Sequence, residues 1–302
     1  MPAPAERRRP DRAGATPPAV TAHAVTALSD DEFELFQSLI HREAGIWLAP
    51  VKKALLVGRL ARRLRELGMA SYRAYHERVR EDPAEKVRML DAICTNETHF
   101  FREPRHFELL AGRLLPALRE QAEAGDRPRR LRVWSAACSS GEEPYSIAMA
   151  LLDALPQGWD LQILATDLST RILDRARAAV WPVEKAREIP EPYLKAFMLR
   201  GVGSQEGLMK AGPELRALVR FERLNLNGDG WPDERFDLVF CRNVLIYFER
   251  RAKERVVERL LDRLAPGGHL FLGHAESLGG LTARARSVVP TVYTPFAPAR
   301  DA

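Results

Sequence analysis

Apolar positions change their spacing partway along the chain, and the change divides it in two. Up to about residue 121 they recur at helical intervals. Ser29-Asp30-Asp31-Glu32 forms a capping-box pattern ahead of Phe33, Phe36, Leu39 and Ile40, which predicts a first helix. Residues 51–67 predict a second, with Leu56, Leu60, Leu64 and Leu67 on one stripe. Arg59, Arg62 and Arg65 project away from that stripe and Arg63 sits at its flank, a pattern open to two readings, a solvated face or a docking face for an acidic helix. Further helices are predicted over residues 71–81, 84–94 and 104–119.

From Leu131 the apolar runs become short and branched, and strand patterns alternate with helical ones. Leu131–Ala137 reads as a buried strand, followed by small residues that permit a sharp turn (Ser139, Ser140, Gly141). Glu142, Glu143 and Pro144 suit the first turn of the helix that carries Ile147, Met149, Leu151 and Leu152. Asp160–Ala165 predicts a second strand ending in Thr166-Asp167, and Arg171–Val180 its helix. Residues 181–217 break the alternation with repeated Pro and Gly, too long a stretch for a plain connection, and predict a small inserted subdomain. Val219–Leu226, Phe236–Asn243, His269–Glu276 and Val288–Phe296 read as further strands, with a helix over Glu249–Leu264. The expected class is therefore α/β, a mainly parallel sheet with helices on both faces behind an all-helical N-terminal domain.

The predicted organisation is a disordered tail at 1–27, a helical domain at 28–121, a linker at 122–130 and the α/β domain at 131–302. The tail is rich in Pro, Ala and Arg with almost no large apolar side chains. Composition adds little to this. The 302 residues carry a net charge of +5, which suits an acidic partner without choosing between nucleic acid and an acidic protein surface. No apolar run approaches the ~18 residues of a membrane span, and the arginine-bearing start has no apolar stretch behind it. Three scattered cysteines lack metal-ligand spacing and fit a reduced, cytoplasmic setting. Nothing in the pattern demands more than a monomer.

The strand, small-residue turn and helix of 131–152 make the first half of a nucleotide-binding βαβ unit. The G-x-G-x-x-G fingerprint is missing, and acidic residues stand where a pyrophosphate needs bare N–H groups. That favours S-adenosylmethionine, whose ammonium and sulfonium groups tolerate carboxylates. Asp167, at the end of the second strand, suits ribose hydroxyls or else caps the next helix. The division of labour between Glu142 and Glu143 stays open. Cys241, Arg242, Asn243 and Tyr247 fall beyond the end of the strand starting at Phe236, where open α/β sheets bind ligands, and Asn225-Leu226 end the preceding strand. By itself Cys241 reads as a packed small residue, His274 as a strand-end packing residue and His99 as incidental.

Five strings in order, GIWLAPVKKALLVGRLARRLRELG, TNETHFFRE, VWSAACSSGEEPYSIAM, FDLVFCRNVLIYF and GGHLFLGHAES, closely resemble the CheR family of chemotaxis receptor methyltransferases. The resemblance runs from about Phe33 to Phe296. It implies a small helical domain followed by a Rossmann-like class I methyltransferase domain with a β insertion. The implied activity is esterification of receptor glutamates with S-adenosylmethionine, leaving S-adenosylhomocysteine. By the same resemblance Asn96, Thr98 and Arg102 contact the cofactor, Glu143 and Asp167 hold its amino-acid part and ribose, and Asn225, Leu226, Cys241, Arg242 and Asn243 line the rest. Arg102 and Tyr247 are similar to the residues beside the substrate glutamate. The basic helix, through Arg59, Arg62 and Arg63, is then expected to dock on cytoplasmic receptor helices. In some relatives the insertion also grips a peptide at the receptor's C terminus.

Three other classes are weaker. A nucleic-acid methyltransferase would use the positive charge, but no D/N-P-P-Y/F/W string is present and the arginines cluster on the helical part. A cofactor-sensing module without catalysis is disfavoured by the presence of Arg102 and Tyr247. An NAD-dependent oxidoreductase lacks its glycine fingerprint.

Overall fold

The computed structural model describes residues 25–296. The tail expected at 1–27 thus lies largely outside the described residues, as do 297–302. Order is already present at Thr26, whose N–H and hydroxyl both donate to the Ala70 carbonyl at 2.9 Å.

Helix α1 (Asp30–Ala44) starts on the expected capping box, with Ser29 Oγ accepting from Glu32 N at 3.1 Å and Glu32 returning the bond to Ser29 N at 2.9 Å. It ends at Gly45, whose φ of +72° suits the residue that closes a helix in the left-handed region. Helices α2 (Lys53–Glu66), α3 (Tyr72–Glu81) and α4 (Pro83–Ile93) complete the bundle. Phe33, Phe36, Leu56, Leu60, Leu64 and Tyr75 share its core.

Residues 104–123 leave that domain. Helix α5 (Pro104–Leu109), a wide turn over Leu110–Leu114 and helix α6 (Leu115–Glu123) bury Phe107, Leu110 and Leu114 against Leu131, Tyr145, Leu238 and Phe271 of the sheet. The helical domain expected to reach residue 121 thus gives up its last helix, because the apolar stripe of 104–123 faces the sheet. Pro116, which has no N–H to donate one turn back, explains the widened turn before it.

The main sheet has seven strands in the order β6-β2-β1-β7-β8-β10-β9. Its parallel part is β1 (Arg130–Ala136), β2 (Asp160–Asp167), β6 (Val219–Arg223), β7 (Phe236–Cys241) and β8 (Leu264–Leu272). Helices α7 (Glu142–Ala154), α8 (Thr170–Ala178) and α11 (Arg250–Asp262) connect strands as the alternation predicts. The final apolar stretch, expected as one strand at 288–296, is the second half of a hairpin of β9 (Ala285–Val289) and β10 (Val292–Pro295). Thr291, at φ +66°, makes its turn. The eighth strand begins five residues before the expected start at His269, since Gly267 and Gly268 hide its pattern.

The insertion is a three-stranded antiparallel sheet of β3 (Val180–Pro182), β4 (Met198–Arg200) and β5 (Leu208–Ala211), with β5 central. Short helices α9 (Glu191–Phe197) and α10 (Pro213–Leu218) flank β4 and β5. Trp181 and Met209 anchor it in the main core.

In the main sheet β2 lies on one side of β1 and β7 on the other, so connections leave β1 in opposite directions and open a crevice at its carboxyl end. The helical domain covers that crevice and is tied down on both sides. Asp91 accepts from Thr170 N and Oγ1 at 2.9 and 2.8 Å. Opposite, Trp47 N donates to Tyr247 O at 3.0 Å, Asn227 Nδ2 to Arg42 O at 3.2 Å, and Ile46 bridges Phe248.

Candidate active site

The turn after β1 leaves Ala137 and Ser139 at φ +69° and +52° and Gly141 at +96°. A Cβ on Gly141 would lie 3.2 Å from Ala176, so the turn also needs a small residue for close packing on α8. Its N–H groups are already used: Cys138 N donates to Thr166 O at 2.8 Å, Ser139 N to the Asp167 carboxylate at 2.9 Å, and Gly141 N to Cys138 O at 3.2 Å. A loop with these donors committed is no phosphate cradle.

The two adjacent glutamates part company here. Glu142 is buried beneath the insertion, paired with Lys185 at 2.8 Å and bonded by Ser140 Oγ at 2.6 Å. Glu143 lines the crevice, accepting from Ser135 Oγ at 2.6 Å and lying 3.4 Å from the Arg242 guanidinium. Burial pushes its carboxyl above the ordinary range, against the pull of Arg242 and Ser135. Asp167 also lines the crevice, and burial raises it too, opposed by N–H bonds from Ser169 and Ser139. It shapes the turn rather than capping α8, whose cap is the Ser169 hydroxyl.

A cavity of about 190 Å³ lies between these carboxylates and the helical domain. Asn96, Thr98, Arg102, Glu143, Asp167, Asn225, Leu226, Arg242, Asn243 and Tyr247 all line it. Eleven of the named candidates were expected there besides the docking arginines, and Cys241 is the exception. Its side chain is fully buried among Trp134, Leu245 and Leu272 on the other side of β7, because alternate residues of a strand face opposite ways.

Arg242 is almost fully buried, at 2% side-chain exposure, yet bridges Glu143 and Glu103 and donates to the Arg102 carbonyl. Arg102 donates to Glu97 O at 3.0 Å and remains half-buried on the wall. Asn243, at φ +57°, donates its N–H to Glu276 at 2.8 Å and its amide to Glu103 at 3.3 Å. Asn225 Nδ2 donates to Glu43 O, so this residue joins the domains as well as lining the cavity. Among the described residues the Tyr247 hydroxyl has no hydrogen-bond partner within the chain.

The three arginines expected to dock, Arg59, Arg62 and Arg63, do not form one face. Arg59 turns into the cavity wall, donating to the Ile93 carbonyl and to Thr95 Oγ1 at 2.8 Å. Arg63 holds the fully buried Glu85 in a bidentate pair at 2.7 and 2.6 Å. Only Arg62 is freely exposed, paired with Glu66 along the helix. The stripe geometry placed all three off the apolar seam, but α4 packs against that flank.

Four contributors escaped the sequence reading. Trp47, 49% exposed, lines the mouth from the loop after α1. Cys94 lines the cavity at the end of α4. Glu103 binds Arg242, Asn243 and the N–H of His274, which is exposed rather than packed. Glu276 accepts from the N–H groups of Asn243, Ile246 and Gly273. The trailing glutamates of TNETHFFRE and GHAES were the available signals.

Among the described residues no three His, Cys, Asp or Glu side chains gather as a metal site, and no helix is long and apolar enough to cross a membrane. The fold and an acidic, non-phosphate crevice at the switch of strand order define a methyltransferase that uses S-adenosylmethionine. The family models agree in two parts: the CheR methyltransferase all-alpha domain matches residues 31–94 and the CheR methyltransferase SAM-binding domain residues 96–294. The chain belongs to the CheR family. It is 40% identical over 283 residues to chemotaxis protein methyltransferase 2 of Pseudomonas aeruginosa, spanning 93% of this chain and 98% of that one. It is 38% identical over 273 residues to the chemotaxis protein methyltransferase of Escherichia coli, spanning 88% and 91%. Its activity is that of an S-adenosylmethionine-dependent protein-glutamate O-methyltransferase acting on chemotaxis receptors.

Proposed function

We propose that the cavity between the helical domain and the carboxyl edge of the sheet receives a glutamate from a cytoplasmic helix of a receptor. Supporting this, Arg102 and Tyr247 stand on the same cavity wall as the acidic pair Glu143 and Asp167. Asn96, Thr98, Asn225, Leu226, Arg242 and Asn243 are assigned to the cofactor surface, and Cys241 supports that surface from behind. We place the domain boundary near Thr95, where the bundle core ends.

Bound S-adenosylmethionine supplies an electrophilic methyl group. A glutamate, with a reference pKa of about 4.3, is already ionised at neutral pH and needs no base. The protein's work is therefore alignment. Arg102 offers a planar fork of donors to the incoming carboxylate, and Tyr247 a single hydroxyl. Too tight a grip would favour the charged ground state over a transition state in which that charge disperses. Arg102→Ala is expected to lower receptor methylation about 100-fold or more, and Tyr247→Phe about three- to tenfold, because a single hydroxyl bond that weakens as the carboxylate charge disperses contributes less than the guanidinium fork. Steady-state kinetics with receptor membranes check this, and equal turnover by wild type and Arg102→Ala would remove Arg102 from the mechanism.

Receptor docking is assigned to the exposed end of α2, with Arg62 as its positive charge. Arg62→Glu should raise the receptor KM at low salt and leave cofactor affinity unchanged, whereas Arg59→Glu should weaken cofactor binding too, because Arg59 forms part of the wall. A monomer in a cytoplasmic setting accounts for all of this, since the cavity is complete within one chain.

A further inference from the structure

Beneath the cavity, Glu103 occupies a costly position. Its backbone lies in the left-handed region at φ +59°, two residues after Phe101 at +51°. Non-glycine residues hold that conformation when their surroundings compensate for it. Here the compensation comes from one carboxylate, 86% buried at its side chain: Oε1 accepts from Asn243 Nδ2 at 3.3 Å and His274 N at 3.0 Å, while Oε2, without a hydrogen bond, faces Arg242 Nε at 3.5 Å and His106 Nδ1 at 3.3 Å. Burial alone would raise this carboxyl, but Arg242 and the surrounding donors hold it below the ordinary range, so it is an anion. Burial and Arg242 together lower His106, which leaves that ring neutral beside it.

Arg242 is thus one buried cation between two carboxylates, Glu143 on the cavity side and Glu103 behind. With Glu143 alone it would form a closed ion pair and cancel the negative charge facing the cavity. From these near-equal distances we infer that Glu103 is a positioning residue, a second counter-charge that shares Arg242 with Glu143 and so leaves part of the Glu143 charge to act on a cationic cofactor. The inference rests on the assignment of Glu143 to the cofactor. It makes a specific demand, because a charge effect must distinguish ligands by charge. S-adenosylhomocysteine keeps the ammonium group of the amino-acid part assigned to Glu143, whereas 5′-methylthioadenosine carries the same nucleoside and a neutral thioether without it.

Calorimetric titration of both ligands into the full chain and its variants tests the idea. Glu103→Gln keeps the shape and removes the charge. It should weaken S-adenosylhomocysteine about tenfold and 5′-methylthioadenosine no more than about threefold, as expected for one charge acting through a partly buried ion pair. Equal weakening of both ligands would mean a structural role only, and no weakening of either would mean none; each overturns the inference. The double variant Glu103→Gln/Arg242→Gln removes one charge of each sign, and its preference between the two ligands should return to within about threefold of wild type. A double variant still depleted tenfold for S-adenosylhomocysteine alone would contradict the counter-charge, and this arm stands even where the single variant fails to fold. Glu143→Gln separates the two layers: if it leaves S-adenosylmethionine binding unchanged, the site assignment itself fails and the inference falls with it.

Discussion

Glu142 and Glu143 are neighbours in the chain with opposite uses, one sealing the insertion to the first turn of α7 and the other facing the cavity. At the residue scale the sequence showed which types of side chain stand at the strand ends but not which way each one turns. Arg63 shows the same gap. Its flank position looked like solvent, yet it neutralises Glu85, which is wholly buried and also accepts from Tyr75 Oη at 2.9 Å. Removing one partner of such a pair leaves the other charge stranded. Arg63→Ala is expected to destabilise the protein by about 3–5 kcal/mol, and Arg62→Ala by less than about 0.5 kcal/mol. Denaturant unfolding checks the pair; equal midpoints for the two variants would mean that Glu85 is satisfied without Arg63.

Helices and parallel strands were legible because each carries its own period over two turns or more. The capping box of α1 and the leucine stripe of α2 appear where the pattern puts them, and the strand expected at Leu131–Ala137 appears one residue earlier, at Arg130–Ala136. What failed needed a partner to decide it. Residues 104–123 are amphipathic whichever core receives them, and only the fold shows that they cover the sheet. The turn at Thr291 divides an apolar stretch without any glycine to mark it. Gly45 is a further element-scale feature, since it ends α1 and lies where the two domains meet. A Cβ there would fall 2.6 Å from the Phe248 ring, and the φ of +72° already disfavours any side chain. Gly45→Ala should cost on the order of 1–3 kcal/mol and raise the cofactor dissociation constant by loosening the Ile46–Phe248 bridge. Calorimetry and thermal unfolding measured together test this; a loss of stability with unchanged cofactor affinity would show that the bridge does not shape the cavity.

For the molecule as a whole, the cavity exists because two cores meet. The bundle contributes Trp47, Arg59 and Cys94, the segment after it Asn96 to Arg102, and the sheet its acidic and basic strand ends. The motifs were legible as strings, but their convergence over gaps of about 40 to 80 residues was legible only through the family resemblance. Charge at this scale makes one more prediction. Burial raises Glu143 and Asp167 in the free protein, so lowering the pH protonates them earlier than ordinary carboxylates. A cationic ligand favours their ionised forms. Binding of S-adenosylmethionine should therefore weaken as pH falls below neutral, at higher pH than for ordinary carboxylates, and should release protons there. Calorimetry in buffers of different ionisation enthalpy measures the release, and a flat affinity below neutral pH would contradict ionised carboxylates at the cofactor.

The central claim is that this cavity esterifies receptor glutamates. The most direct measurement mixes the protein with methyl-labelled S-adenosylmethionine and receptor-containing membranes, then collects the methanol set free by mild alkali. Carboxyl methyl esters hydrolyse under those conditions, whereas N-methyl groups stay attached. Labelled methanol from the wild type, and little from Arg102→Ala, is the predicted result. Label that enters the receptor but resists alkali, or no bound cofactor at all, would contradict it.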